Sequence, residues 1–258
     1  MGRNATKSAA LDFNRGRPTP MSRIAFPAGH GIFETMRVED GRIAELGRHM
    51  RRATSSARAL NIAMPDEEAL RKELAQALSK ESFKLGRLRI CFSSGAMVID
   101  YSEYSEFEAP ANLTFHSASP NSVNYMHKIY PYDERFEILD TATSYGFDDA
   151  IVFNNENHIT ESAIANICVC IDGQWLTPPI TAGVLPGIMR AIAVERLDVK
   201  VANIHISEIP KIEAASLLNS LKIAQPVAFI GDYRLPQIEQ STDLLAQLRS
   251  KVEYFSLS

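Results

Sequence analysis

The chain is poor in several things that would narrow its class. It has three cysteines, one tryptophan and an aromatic share of 8% in 258 residues. Cys168 and Cys170, two apart on an expected strand, would share one face, a spacing unlike paired zinc ligands, and Cys91 is remote from both. Neither a disulfide framework nor a metal site is expected; buried, reduced thiols of a cytoplasmic protein are. No apolar run approaches the ~20 residues that span a bilayer, and no signal-peptide core follows Met1. A bare N-myristoylation pattern, Met-Gly-x-x-x-Thr over Met1 to Thr6, lacks the second signal that stable anchoring needs, so no membrane partner is expected. Lys and Arg number 27 against 31 Asp and Glu, a formal net charge of −4. That balance offers no basic field to nucleic acid. Internal repeats and low-complexity tracts are also missing.

What is present is a 45% hydrophobic chain long enough to bury one large core or two modest ones. Its pattern divides into two α/β halves. In the first, Ile24 to Val38 with Gly41 to Ala44 reads as a hairpin, Gly47 to Ile62 as a helix, and Pro65 to Ser79 as a helix with Leu70, Leu74 and Leu78 four apart. Arg87 to Ser93 alternates as a strand does, and Asn112 to Ser117 reads as another. The expected division is an N-terminal domain over 1–118, a linker over 119–124 and a larger, strand-rich domain over 125–258. The second half reads as a helix over Tyr132 to Tyr145, a strand over Ala150 to Phe153, a turn holding Glu161, and a strand over Ile164 to Ile171. A tight turn at Asp172-Gly173 leads into Trp175-Leu176. A helix follows Gly187, then strands within Val199 to Ile206 and at Pro226 to Gly231, and a terminal helix from Thr242. The first N–H groups of the helix after Gly187 have no internal acceptor, so Ile188 and Met189 could bind an anion there.

Taken together, Gly29 to Ile62, His127-Lys128, Thr160-Glu161-Ser162, Thr177-Pro178, Leu185-Pro186-Gly187-Ile188-Met189-Arg190 and Asn219-Ser220 resemble the class IV pyridoxal-phosphate enzymes. That family includes branched-chain aminotransferases, D-amino acid aminotransferases and aminodeoxychorismate lyases. The resemblance implies a two-domain α/β fold with a small N-terminal and a larger C-terminal domain, the site between them, in a homodimer. It implies that Lys128 carries pyridoxal 5'-phosphate and later serves as acid and base, and that Glu161 keeps the pyridine nitrogen protonated. Arg52 corresponds to the phosphate arginine, with Arg51 as runner-up; the Ile188 and Met189 amides and the Ser220 hydroxyl complete the phosphate cup, and Leu185 caps the ring. Met189 stands where many relatives carry Thr.

On the substrate side, Phe33 and Thr35 flank Glu34. A threonine after the acid matches the lyases, so the implied reaction is conversion of 4-amino-4-deoxychorismate to 4-aminobenzoate and pyruvate, a step toward folate, with Thr35 assisting. Aminotransfer from branched-chain or D-amino acids and a non-catalytic cofactor-binding role are the alternatives. Phe92-Ser93-Ser94-Gly95 lacks the arginine of the relatives' Ser-Arg-Gly. Which group holds a substrate carboxylate is thus left open.

Overall fold

The computed structural model describes residues 26–94, 96–107, 109–116 and 125–257. The Met1 to Thr6 pattern and the expected 119–124 linker lie outside the described residues. The fold is mixed α/β, its strands gathered into a six-stranded and a nine-stranded sheet. Along the first part run β1 (Gly31–Glu39), β2 (Arg42–Ala44), α1 (Leu46–Ala59), α2 (Glu67–Lys80), β3 (Leu85–Ser93) and β4 (Ala96–Glu103). Then come β5 (Ala111–His116), β6 (Ile129–Tyr130), α3 (Asp133–Ser144), β7 (Asp149–Phe153), β8 (Ile159–Ser162), β9 (Asn166–Ile171) and β10 (Gln174–Thr177). The remainder is α4 (Ile188–Arg196), β11 (Lys200–Val201), β12 (Ala214–Asn219), β13 (Ile223–Ile230), β14 (Tyr233–Arg234), α5 (Ile238–Lys251) and β15 (Tyr254–Phe255).

The smaller sheet runs β15-β2-β1-β3-β4, with β6 also paired to β1. Successive residues of a strand face opposite ways, and β1 uses this to separate two environments. Ile32, Met36 and Val38 join Leu88, Ile90 and Phe92 of β3 in a core shared with α1 and α2. Glu34 has the same parity and so lies beneath α1. Phe33 and Thr35 take the other face, which opens into a cleft. Helix α2 is held by Asp66, whose carboxylate accepts the Ala69 N–H at 2.7 Å. It buries Leu70 and Leu74, one turn apart, each contributing roughly 1.5–3 kcal/mol.

The larger sheet runs β11-β10-β9-β12-β13-β5-β7-β8, with β14 on β13. Every residue of β9 is buried because both faces are covered. Ile167, Val169 and Ile171 enter one core with β5, β7 and β13, and Cys168 enters another with α4 and α5. The chain exchanges strands between the sheets: β5 pairs with β13 and β7 in the larger one, whereas β6 and β15 return to the smaller.

Several elements differ from expectation. Glu161 lies in strand β8, paired with Val152, rather than in a turn; β8 carries polar side chains because it borders the cleft, and that polarity disguises it as a loop. Strand β4 is only partly buried and lacks a clean alternation. Of Val199 to Ile206 only Lys200–Val201 is strand, and Ile206–Lys211 is a 3-10 turn capped by His205. Helix α5 begins at Ile238, just after Pro236, rather than at Thr242.

Candidate active site

An open cleft, about 910 Å³ with its solvent-filled mouth included, is bordered by Phe33, Thr35, Arg52, Lys128, Glu161, Leu185, Ile188 and Ser220. These come from separated stretches of chain, so the fold brings together all but one of the anticipated residues. Met189 is the exception: its side chain is 1% exposed and packs with Ile192 and Ala193 in the core beneath α4. Only its backbone N–H, in the first turn of α4, is left for a ligand.

Lys128 precedes β6, and its carbonyl accepts the Phe33 N–H at 2.9 Å. Its backbone is thus tied to the cleft face of β1. The amine lies 4.5 Å from the centre of the Phe33 ring and 5.0 Å from that of Tyr132. Burial, and next the positive charge of Arg52, push its pKa down to about 7, because both penalise the ammonium form. A large fraction of Lys128 is therefore a neutral amine near neutrality, with a lone pair to offer.

Arg52 is presented by α1 together with His49, three residues earlier and on the same face. Glu34 receives both. Arg52 Nε and Nη2 donate to its two carboxylate oxygens at 2.8 and 2.6 Å, and His49 Nδ1 lies 2.6 Å from Oε2. Burial works to raise the Glu34 pKa, but Arg52 and His49 more than offset it, holding the carboxyl at about 2. Arg52 Nη1 also reaches across to the carbonyl of Pro186 at 3.0 Å, so three of its N–H groups are engaged. A guanidinium has five, so two remain for a ligand. With Nδ1–H donated to Glu34, His49 Nε2 accepts from Ser220 Oγ at 3.1 Å, which joins α1 to the end of β12.

Glu161 is fixed on the opposite wall. Asn166 Nδ2 and the Leu185 N–H donate to its Oε2 at 3.0 and 3.1 Å, and Arg135 of α3 donates to Oε1. Asn166 also donates to the Leu185 carbonyl at 3.0 Å, so one amide aligns both the acid and the loop entering α4. Gly187 caps that helix without a side-chain bond. A Cβ there would stand 1.8 Å from Asn166 Oδ1, so glycine is demanded by this close approach.

Residues that sequence reasoning did not select complete the cleft: Arg89, Tyr104, Tyr132, Phe136, Asn166 and Lys222 line it, and Arg135 stands behind Glu161. Arg89 had a signal available, since the β1–β3 register sets it opposite Thr35. Arg135 had none, being 26 residues from the acid it binds. Among the described residues no cluster of His, Cys, Asp or Glu is arranged to hold a metal ion, and no helix is long and apolar enough to cross a membrane.

Residues 31–230 match the family model of amino-transferase class IV. The chain belongs to that family. As a class IV enzyme it has relatives with different activities. A Schizosaccharomyces pombe protein provisionally named an aminodeoxychorismate lyase is 27% identical over 166 residues, covering 62% of this chain and 71% of its own. A Mycobacterium tuberculosis protein named a bifunctional aminodeoxychorismate lyase and D-amino acid transaminase is 21% identical over 249 residues, 83% of this chain and 86% of that one. Among solved structures, the PLP-bound form of a hypothetical aminotransferase from Mycobacterium tuberculosis superposes with a TM-score of 0.72 at 20% identity, over 84% of this chain and 88% of that one.

Proposed function

We propose that this class IV enzyme is a pyridoxal-phosphate-dependent lyase that converts 4-amino-4-deoxychorismate to 4-aminobenzoate and pyruvate. The observation that carries the reading is the meeting of Lys128, Glu161 and Thr35 in one cleft. The residues fit the cofactor chemically. A buried amine with a pKa of about 7 suits covalent attachment. An anchored carboxylate suits a pyridine nitrogen, and an open helix N-terminus beside an arginine suits a phosphate. Lys128 would hold the cofactor, Glu161 its ring nitrogen, and Leu185 its face. Arg52, the Ile188 and Met189 amides and Ser220 would hold the phosphate, Ser220 turning its hydrogen from His49 to a phosphate oxygen.

Bound pyridoxal phosphate supplies an electron sink for a bond broken at the amine-bearing carbon of the substrate. Around it, Lys128 takes the proton from that carbon, as a neutral amine can near pH 7. Glu161 keeps a proton on the ring nitrogen, with Asn166 and Arg135 holding its carboxylate in place. Thr35 positions the departing enolpyruvyl group and moves a proton to it, and ring aromatisation drives its loss. The rings of Phe33 and Tyr132 flank the Lys128 amine and exclude water from it. The same reading takes 1–118 and 125–258 as the two domains and the working form as a cytoplasmic homodimer that makes a folate precursor.

The second reading is aminotransfer, favoured by the transaminase activity named for the Mycobacterium tuberculosis relative. Purified enzyme, loaded with pyridoxal phosphate and given 4-amino-4-deoxychorismate, separates the two. Pyruvate and 4-aminobenzoate formed in equal amounts without an amino donor are the expected result. A 2-oxo acid formed only with an added amino acid would replace the lyase reading by the second.

A further inference from the structure

The cleft holds a second, partly buried lysine that the steps above do not use. Lys222 lines it beside Ser220, Phe107 and Tyr104. Its ammonium lies 2.5 Å from Gln225 Oε1 and 4.4 Å from the centre of the Phe107 ring. It makes no ion pair within 4.0 Å among the described residues; Asp149 and Asp148 act on it only at longer range. Asp149 itself is taken up by the Ser162 hydroxyl and the Ala150 and Ala163 N–H groups. A cation at a cleft wall, met by one neutral amide and one ring face, has donors to spare.

Tyr104 supplies an independent sign at the same place. Its hydroxyl is buried and has no hydrogen-bond partner among the described residues. Burial pushes its pKa up to about 12, so it stays a donor at any working pH. Buried hydroxyls are seldom left unmatched, and one at the edge of a binding cleft calls for an acceptor from outside the chain. Tyr104, Phe107 and Lys222 also line an adjoining cavity, which places them at one shared corner.

The loop carrying Lys222 is built rather than loose. Asn219 Oδ1 accepts the Leu221 and Lys222 N–H groups at 3.1 and 2.9 Å, and buried Arg37 donates to the Leu221 carbonyl at 2.7 Å. Ile223 then adopts a φ of 62°, a left-handed conformation that a β-branched side chain resists and that persists only where surrounding bonds enforce it. Of the cations lining the cleft, Arg52 is balanced by Glu34 behind it and Lys128 is in large part neutral near pH 7, which leaves Arg89 and Lys222 as its positive charges beside Glu161. Lys222 is thus placed to meet an anionic group of the substrate.

We propose that Lys222 and Tyr104 form the pocket for a carboxylate of the substrate, Lys222 Nζ and Tyr104 Oη both donating to its oxygens. This deepens the proposed function and rests on its amino-acid-type substrate. The probes are 4-aminobenzoate and its neutral amide, 4-aminobenzamide, titrated calorimetrically into the pyridoxal-phosphate-loaded enzyme, with KM and kcat for 4-amino-4-deoxychorismate alongside. The wild type is expected to prefer the benzoate by about tenfold or more, since a charge-assisted pair is lost in the amide. Lys222→Met should abolish that preference and raise KM about 10- to 100-fold with a much smaller change in kcat. Tyr104→Phe should cut the preference about threefold to tenfold, and Lys222→Arg should retain part of it. Melting temperature and cofactor absorbance establish that each variant is folded and loaded; should Lys222→Met not fold, Lys222→Gln and Tyr104→Phe carry the test. Equal binding of the two probes by the wild type, or an undiminished preference in the folded Lys222 variants, overturns the pocket. Absence of pyruvate release would overturn the lyase reading alone, because the probe titration judges the carboxylate pocket separately.

Discussion

The two ends of the cleft are built in opposite ways. Around Glu161 and the start of α4, the polar side chains bond to one another: Asn166 serves both Glu161 and the Leu185 carbonyl, Leu185 donates to Glu161, and Arg52 reaches the Pro186 carbonyl. Around Tyr104 and Lys222, by contrast, a buried hydroxyl has no partner and an ammonium has only a neutral one among the described residues. A wall whose side chains hold one another keeps its shape whether or not a ligand is bound, and it presents the remaining Arg52 N–H groups and the α4 amides in fixed positions, which would suit a cofactor that stays in place through many turnovers. A wall whose donors are not tied to one another would be completed by what enters. The difference would suit a permanent ligand at one end of the cavity and a transient one at the other.

The largest expected effect at the closed end is Lys128→Ala. It should lower turnover by at least about 10³-fold, since it removes both the attachment point and the base; single-turnover kinetics check it. Glu161→Gln keeps the shape of the wall but not its charge, and should cost about 10²-fold in kcat with KM little changed. A larger change in KM than in kcat would blur the contrast between the two ends.

Next in size is Glu34, which joins α1 to β1 behind the cleft. Glu34→Gln leaves Arg52 and His49 without their anion and should destabilise the fold by about 3 kcal/mol at pH 7, measured by denaturant unfolding. The pH dependence has a definite sign. The folded carboxyl titrates at about 2 and the unfolded one near 4.5, so its contribution is present above pH 4.5 and lost as the pH falls toward 2. The variant should show a flatter loss of stability across that window. The smallest effect concerns rate. Capture of pyridoxal phosphate by the cofactor-free protein needs the neutral Lys128 amine and should rise with pH around a midpoint of about 7. A midpoint near 10 would mean that Lys128 is solvated like an ordinary lysine.

The closed end was also the legible end. Glu161, Leu185 and the Ile188 turn stand in short ordered motifs, because a fixed ligand recurs with the same residues at the same spacing. Glu34 and Thr35, adjacent in sequence, serve different sides of β1, one under α1 and the other in the cleft, and strand parity accounts for this once β1 is recognised. Little of the open end could be read in advance. Tyr104, Lys222 and Arg89 come from three separate stretches, and composition does not mark any of them as other than an ordinary surface or strand residue. Only the register of β3 on β1 and the turn after Asn219 bring them to one cleft. Arg135 was hidden for the same reason, its meeting with Glu161 being a matter of how α3 packs. Of the strands that the sequence analysis did not anticipate, β4 and β8 carry polar side chains because they border the site or solvent, whereas β12 is buried and mostly apolar and its short Ala-Ala-Ser-Leu-Leu run has no alternation to mark it.

Both Lys128 and Lys222 are amines in the cleft whose pKa values are lowered by burial, yet one is assigned to the cofactor and the other to the substrate. Borohydride reduction of the pyridoxal-phosphate-loaded enzyme, followed by proteolysis and mass spectrometry, decides between them. The added pyridoxyl phosphate mass should lie on the peptide containing Lys128, with Lys222 unmodified. Label on Lys222, or on neither lysine, would contradict the account.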